Sequence, residues 1–303
     1  MTRAANYSIG IDIGGTKMAI GLVQADGHIM ASSSLPTEST RGQDNAACRI
    51  RAQITKLLSS QGLASTDVQG IGVGCPGPLD LGSGVVLNPY TLPGWENESL
   101  VDTFQKVLEL PVRLENDADA ALLGECWMGA GREMDPVVML TFGTGVGGAV
   151  KCGGKIYRGV AGEHPEIGLM PIFPDMPTDY SGVGGSLESL TSGSGIAHQG
   201  KSHGFQDAAS VFAAAELQHP QASRIVQCAV RSAGIAGWTV AHTFVPECII
   251  LGGGLMDHHF DAFSHSIQSH LARATLIKSH SIHVVKARLG NQSGMVGAAS
   301  LWF

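Results

Sequence analysis

An aspartate at the end of an apolar strand, followed at once by a glycine turn, suits phosphate and metal chemistry. The stretch Ile9-Gly10-Ile11-Asp12-Ile13-Gly14-Gly15-Thr16-Lys17 has that form. Ile9, Ile11 and Ile13 share one face of a period-2 strand, which puts Asp12 on the other face with Gly10 and Gly14. Gly14 and Gly15 let backbone N–H groups converge on an anion, and Thr16 and Lys17 add a hydroxyl and an ammonium. Asp12 is placed to hold a divalent cation through water. A simple hairpin with a Gly-Gly turn would share the glycines, but it gives an Asp between isoleucines no purpose.

A second stretch, Leu140-Thr141-Phe142-Gly143-Thr144-Gly145-Val146-Gly147-Gly148-Ala149-Val150, again runs apolar strand, glycine-threonine turn, apolar strand. Each stretch continues through a two-residue turn, Asp26-Gly27 or Gly153-Gly154, into a third strand. The chain therefore reads as two copies of one three-stranded meander. Two glycine loops facing each other across a cleft would grip a polyphosphate from both sides.

Carboxylates supply the other half of the chemistry. In Leu114-Glu115-Asn116-Asp117-Ala118-Asp119, three acids and an amide crowd the boundary between a strand and an Ala/Leu-rich helix. Asp117 would face the cleft from the helix N-terminus, although capping by Asn116 or Asp117 would explain one of the two. Between Gly159 and Gly195 lies a long glycine- and proline-rich loop with Glu163, His164, Glu166 and Glu188, which reads as a binding loop. Gly252-Gly253-Gly254 follows a buried strand and precedes a helix, a place suited to a nucleotide. His258, His259, His265 and His270 lack the i,i+4 spacing of a helical metal pair and read as surface residues.

The elements that must hold these residues follow from periodicity. The first meander spans residues 7–34, and a helix over 44–61 buries Ala47, Ile50, Ile54, Leu57 and Leu58. Gly70 to Gly74 is a buried strand ending in the rigid Cys75-Pro76-Gly77-Pro78. Leu92-Pro93-Gly94-Trp95 reads as an exposed turn, and Ser99 caps a helix to Leu108. A strand over 111–115 completes βββαβαβ. After the second meander come helices over 208–218 and 221–244, with Gly234 and Gly237 as packing points. A strand at 248–251, a helix over 257–276, a strand over 282–289 and a closing helix over 294–302 follow.

The 303 residues suggest two domains. A net charge of -7 without a basic cluster argues against nucleic acid and anionic membranes. Six cysteines without a C-x-x-C pair read as buried free thiols. No hydrophobic leader precedes the first strand and no apolar run reaches the ~18 residues of a membrane span, so a cytoplasmic protein is expected.

Taken together, the motifs resemble the ROK family (repressors, open reading frames and kinases) along essentially the whole chain. Asp12-Ile13-Gly14-Gly15-Thr16-Lys17 is similar to its first phosphate loop, and Gly143-Thr144-Gly145-Val146-Gly147-Gly148 to its second. Gly252-Gly253-Gly254 is similar to its adenosine loop and Glu115-Asn116-Asp117 to its sugar and catalytic motif. The resemblance implies an α/β, two-domain actin-like or hexokinase-like (ribonuclease H-like) fold with a duplicated βββαβαβ core. It places a small domain over 1–117, joined by the closing helix 292–303, and a large one over 118–291. It implies a kinase using ATP and Mg²⁺, in which Asp117 takes the proton of the attacking hydroxyl. Asn116, Glu166 and Glu188 would hold the sugar, with Gly77 on the sugar side and Mg²⁺ bound by Asp12 through water. Closing of the domains would expel water. A homodimer is expected on the same ground.

Two departures from the family pattern bear on substrate and metal. Where members carry Glu-x-Gly-His, this chain has Glu166-Ile167-Gly168-Leu169. Where they carry three cysteines in Cys-x-Cys-Gly-x-x-Gly-Cys-x-Glu, it has Asp179-Tyr180-Ser181-Gly182-Val183-Gly184-Gly185-Ser186-Leu187-Glu188. No zinc is expected. Ile167, Leu169, Met170 and Leu187 would anchor the loop by packing instead. The family histidine also touches the sugar; His164 is a candidate replacement, set against a plain surface histidine. Glucose is the first expectation for the substrate, ahead of fructose, mannose and the N-acetylated hexosamines, N-acetylmannosamine and N-acetylglucosamine. A sugar-sensing regulator is the non-enzymatic alternative. The family's DNA-binding members carry a winged helix ahead of the first phosphate loop, whereas eight residues precede Ile9 here, and a catalytically dead sensor would be expected to lose Asp117 or a phosphate loop.

Overall fold

The computed structural model describes residues 6–176 and 182–303. The first meander is β1 (Tyr7–Ile13), β2 (Lys17–Gln24) and β3 (Ile29–Pro36). There follow α1 (Gln43–Ser60), β4 (Val68–Cys75), the short pair β5 (Leu79–Asp80) and β6 (Val85–Val86), α2 (Leu100–Leu108), β7 (Val112–Asn116) and α3 (Asp117–Met128). The second meander is β8 (Val137–Phe142), β9 (Val146–Cys152) and β10 (Lys155–Ile156). Then come α4 (Leu187–Thr191), α5 (Gly193–Lys201), α6 (Ala208–Glu216), α7 (Pro220–Phe244), β11 (Cys248–Gly252), α8 (Met256–Leu271), β12 (His283–Lys286) and α9 (Ser293–Ser300).

The repeat read from the sequence is built into two five-stranded sheets of the same order, β3-β2-β1-β4-β7 and β10-β9-β8-β11-β12. In each, the meander is antiparallel and the last two strands run parallel to its first strand. Parallel strands need crossover helices, and α1, α2 and α8 supply three of them. Ile9, Ile11 and Ile13 have no exposure and share one core cluster with Ile50, Ile54 and Leu57 of α1, as period 2 requires.

The opposite face of β1 is bare for a reason other than anion binding. A Cβ on Gly10 would lie 1.9 Å from the Met295 carbonyl oxygen, and one on Gly72 1.8 Å from that of Ala298. Glycines thus let α9 rest directly on the sheet. Gly297 brings α9 equally close to Ala120 of α3, where a Cβ would stand 1.6 Å from the carbonyl oxygen.

The chain divides into two compact units. One holds the chain up to Arg132 with Arg158–His164 and Asn291–Phe303; the other holds Glu133–Tyr157 and Pro165–Gly290. Because α3 packs on α9, this division falls after Arg132 rather than after Asp117.

Several local expectations need correction. Leu92 and Trp95 are fully buried, not part of an exposed turn: the indole Nε1 donates to the Ser39 carbonyl at 2.9 Å and the ring meets Phe104 edge-on. Only Cys75 and Cys248 are buried; Cys48 and Cys152 are exposed, on the solvent side of α1 and at a strand end. His259 stacks on Phe212 at 3.6 Å and His270 packs at Gly234, so two of the four α8 histidines are half-buried. The loop between Gly159 and Gly195 includes a helix, α4. Among the described residues no helix is long and apolar enough to cross a membrane.

Candidate active site

In the first unit, Asp12 ends β1 opposite Ala19 of β2 and Gly74 of β4. Its carboxyl group lies against Gly294, where a Cβ would come within 2.7 Å of it. Burial, then the charge of Asp117, push Asp12 up to about 7, while Lys17 pulls the other way. The turn after Asp12 is shaped by Thr37, whose hydroxyl donates to the Gly14 carbonyl at 2.5 Å and whose N–H donates to the Thr16 carbonyl at 3.0 Å. A trans peptide points its C=O and N–H in opposite directions, so the Gly15 N–H is turned away from Thr37. Sequence reading missed Thr37, because nothing in its own neighbourhood marks it.

At the junction of β7 and α3 the side chains divide the work. Asn116 Oδ1 accepts the N–H groups of Ala118 and Asp119 at 2.9 and 3.2 Å and so caps the helix. Asp117, at the first helical position, is raised by burial against the opposing pull of the Ala118 N–H and of His164. Its neighbours Glu115 and Asp119 are buried and gripped by Arg158. Nη2 lies 2.5 and 2.6 Å from the two Glu115 oxygens, and Nη1 lies 2.9 Å from Asp119 Oδ2. Burial raises Glu115, and the guanidinium opposes it. His164 Nδ1 stands 3.1 Å from the same Asp119 oxygen with its side chain 13% exposed, so it is an inward member of this cluster and not a surface histidine. Arg158 had no signal in the sequence.

Gly77 adjoins this cluster, with space for a Cβ only 3.2 Å from Asn116 Nδ2. Its carbonyl accepts from the buried Asn88 amide at 2.5 Å, and Asn88 Oδ1 accepts the N–H groups of Tyr90 and Thr91. Asn88 therefore fixes the loop that carries Gly77.

In the second unit, the turn between β8 and β9 is held from below by α4 and α5. The Gly193 N–H donates to the Gly143 carbonyl at 2.8 Å, and the Ser194 hydroxyl donates to the Thr144 carbonyl at 2.6 Å. By the same peptide geometry, the N–H groups of Thr144 and Gly145 point away from α5, as an anion-binding turn needs. Gly147 pairs with Thr141 inside the ladder and belongs to β9. Glu188, in the first turn of α4, accepts the Val146 N–H at 2.8 Å. Gly253 has φ +85° and sits against the backbone of Phe142, where a Cβ would come within 2.4 Å; Gly254 is open, and Gly252 is the buried end of β11. The glycine triplet thus adjoins the end of β8, where the Gly143–Gly145 turn begins. Glu166 is exposed.

Where the family pattern has zinc ligands, Asp179 and Ser181 lie outside the described residues. Ser186 is buried and caps α4, accepting the Ser189 N–H at 3.0 Å. Ile167 and Leu187 are buried in the core, with Met170 packed on it; Leu169 is only half-buried.

The model of the ROK family matches residues 8–303. The chain belongs to the ROK family. Among ROK relatives, glucokinase of Thermotoga maritima is 31% identical over 97% of this chain and 96% of its own length. N-acetylmannosamine kinase of Escherichia coli is 29% identical over 97% of both chains. A ROK glucokinase of Streptomyces griseus, solved in complex with glucose and AMPPNP, superposes with a TM-score of 0.81 at 30% identity, covering 97% of this chain and 98% of that one. The duplicated sheets are accordingly the actin-like, hexokinase-like (ribonuclease H-like) fold of ROK proteins.

Proposed function

We propose that this ROK sugar kinase transfers the γ-phosphoryl group of ATP to a hexose hydroxyl, with Asp117 as general base and glucose, giving the 6-phosphate, as first substrate. The observation that carries the reading is the division of labour at the start of α3. Asn116 caps the helix, so the half-buried carboxylate of Asp117, which also accepts the Ala118 N–H at 2.8 Å, is not needed for capping. In the reaction, the hexose O–H proton passes to Asp117 and the oxygen bonds to the γ-phosphorus. The bond to the bridging oxygen breaks and ADP leaves. A carboxyl group raised above its ordinary value is the better base for that proton.

Gly77, Asn116, Glu166 and Glu188 are assigned to the sugar. Asp12, Gly14, Gly15, Thr16 and Lys17, then Gly143, Thr144, Gly145 and Gly147, are assigned to the phosphates, and Gly252, Gly253 and Gly254 to the adenosine. Mg²⁺ fits Asp12: its raised carboxyl beside a second carboxylate is a place where a cation relieves repulsion. Among the described residues no three His, Cys, Asp or Glu converge on a metal position. Mg²⁺ would therefore be held by Asp12, water and the nucleotide, as is usual for this ion, and would neutralise phosphate charge. We place the enzyme in the cytoplasm as a homodimer. An ATP-consumption assay across glucose, fructose, mannose, N-acetylmannosamine and N-acetylglucosamine tests the reading; turnover with none of them would sink it.

A further inference from the structure

The hydrogen bond from the Val146 N–H to Glu188 joins two parts of the second unit that the proposed reaction uses separately. Glu188 is assigned to the sugar, while Val146 closes the turn assigned to phosphate. The contact is tight. Oε2 of Glu188 accepts the Val146 N–H at 2.8 Å, and a Cβ on Gly145 would come within 2.4 Å of the same oxygen. The helix carrying Glu188 leads directly into the α5 N-terminus, where Gly193 and Ser194 bind the Gly143 and Thr144 carbonyls. Ser192 caps that helix through the Gly195 N–H at 2.9 Å, so these donors are fixed. Four consecutive residues of the turn, Gly143 to Val146, are thus within reach of the α4–α5 corner.

We propose that Glu188 is a strut shared by the two substrates, so that a hexose held by its carboxylate also sets the shape of the phosphate turn at Gly143–Val146. The inference rests on the hexose-kinase reading above. A sugar hydroxyl that fixes the Glu188 carboxylate reduces the freedom of the Val146 amide and of the turn, and the nucleotide then binds a turn already ordered. Linkage makes the effect reciprocal: nucleotide tightens sugar by the same factor. Ser194 is a positioning residue in this scheme, acting on phosphate through the Thr144 carbonyl.

Titration calorimetry with AMPPNP and glucose decides it. In the sugar-free protein, Glu188→Ala is expected to weaken AMPPNP about 5–10-fold, the worth of one lost hydrogen bond. Glu188→Gln keeps an oxygen for the Val146 N–H, so it restores AMPPNP affinity while sugar affinity stays low. In the wild type, glucose and AMPPNP should tighten each other roughly 5-fold or more. That factor should vanish in Glu188→Ala and shrink in Ser194→Ala, with glucose affinity of the latter within about twofold of wild type. Unchanged AMPPNP affinity in Glu188→Ala, or coupling that survives in it, would overturn the strut. Failure of every hexose to bind would overturn the hexose reading and the coupling with it; the sugar-free nucleotide titration tells that case from an inert Glu188.

Discussion

Arg158 and Glu115 are joined through both carboxylate oxygens, at 2.5 and 2.6 Å, and the same guanidinium reaches Asp119. One cation therefore answers two buried acids on either side of Asp117. Arg158→Met would strip Glu115 of its ion pair and leave Asp119 facing His164 without the guanidinium, and breaking a buried pair costs roughly 3–5 kcal/mol. The arginine side chain is 23% exposed, which puts the expectation at the lower end of that range. Urea denaturation measures it. Adding Glu115→Gln to Arg158→Met should recover part of the loss, and a stability equal to wild type in the single variant would show the grip to be idle.

Asp117→Asn should leave the fold intact, because Asn116 continues to cap α3. Its kcat should fall by roughly 10²–10⁴, the usual contribution of a positioned general base. Steady-state kinetics beside a melting curve separates the two effects. Near-normal kcat would reduce Asp117 to a helix residue.

Asp12 gives a pH dependence with a definite sign. Burial pushes its carboxyl up to about 7 in the folded protein, above the ordinary aspartate value of 3.8, so the folded protein holds this proton more firmly than the unfolded chain. Its contribution is fully present below about pH 4 and is lost as pH rises through about 7. Without Mg²⁺, Asp12→Asn should therefore melt higher than wild type at pH 8 and the difference should close towards pH 4. Added Mg²⁺ should raise the wild-type melting temperature at pH 8 more than that of the variant. The variant should also need more Mg²⁺ for half-maximal rate, and an unchanged Mg²⁺ dependence would remove Asp12 from the metal.

Gly253→Ala forces a side chain into a left-handed backbone position and against Phe142. Strain at such a position costs about 1–3 kcal/mol, and the displaced loop should raise the KM for ATP while leaving sugar affinity near wild type. A KM for ATP unchanged in a stable variant would take the glycine triplet out of the nucleotide site.

The loop between Pro165 and Glu188 should hold without zinc. Elemental analysis of protein purified without added metal should find no stoichiometric zinc, and a strong chelator followed by excess Mg²⁺ should leave activity and melting temperature unchanged. Structural zinc contributes apparent binding energies of roughly 10–16 kcal/mol in small peptides, so a bound ion could not pass unnoticed. One zinc per chain, or irreversible loss of activity, would show ligands other than Ser186, whose hydroxyl already caps α4.

The sequence by itself determined the repeated meanders, the strand alternation of Ile9, Ile11 and Ile13, the cap at Ser99, and the glycine turns after both first strands, while it left the cap of α3 open between Asn116 and Asp117. These depend on neighbours within a few residues, which a linear pattern records directly. Tertiary structure alone decided that the bare face of β1 receives α9, that Trp95 is core, that Thr37 and Ser194 hold the carbonyls of the two glycine turns, and that Arg158 meets Glu115. The Arg158–Glu115 contact spans 43 residues and the Ser8 hydroxyl bond to the Ala299 carbonyl spans 291. Such pairs are chosen by the packing of whole elements, and no local periodicity carries them. Glu188 shows the boundary between the two sources. Its place in a motif suggested a sugar ligand, but only the fold placed its carboxylate on the Val146 amide, because the α4–α5 corner and the β8–β9 turn come together through the core of the second unit.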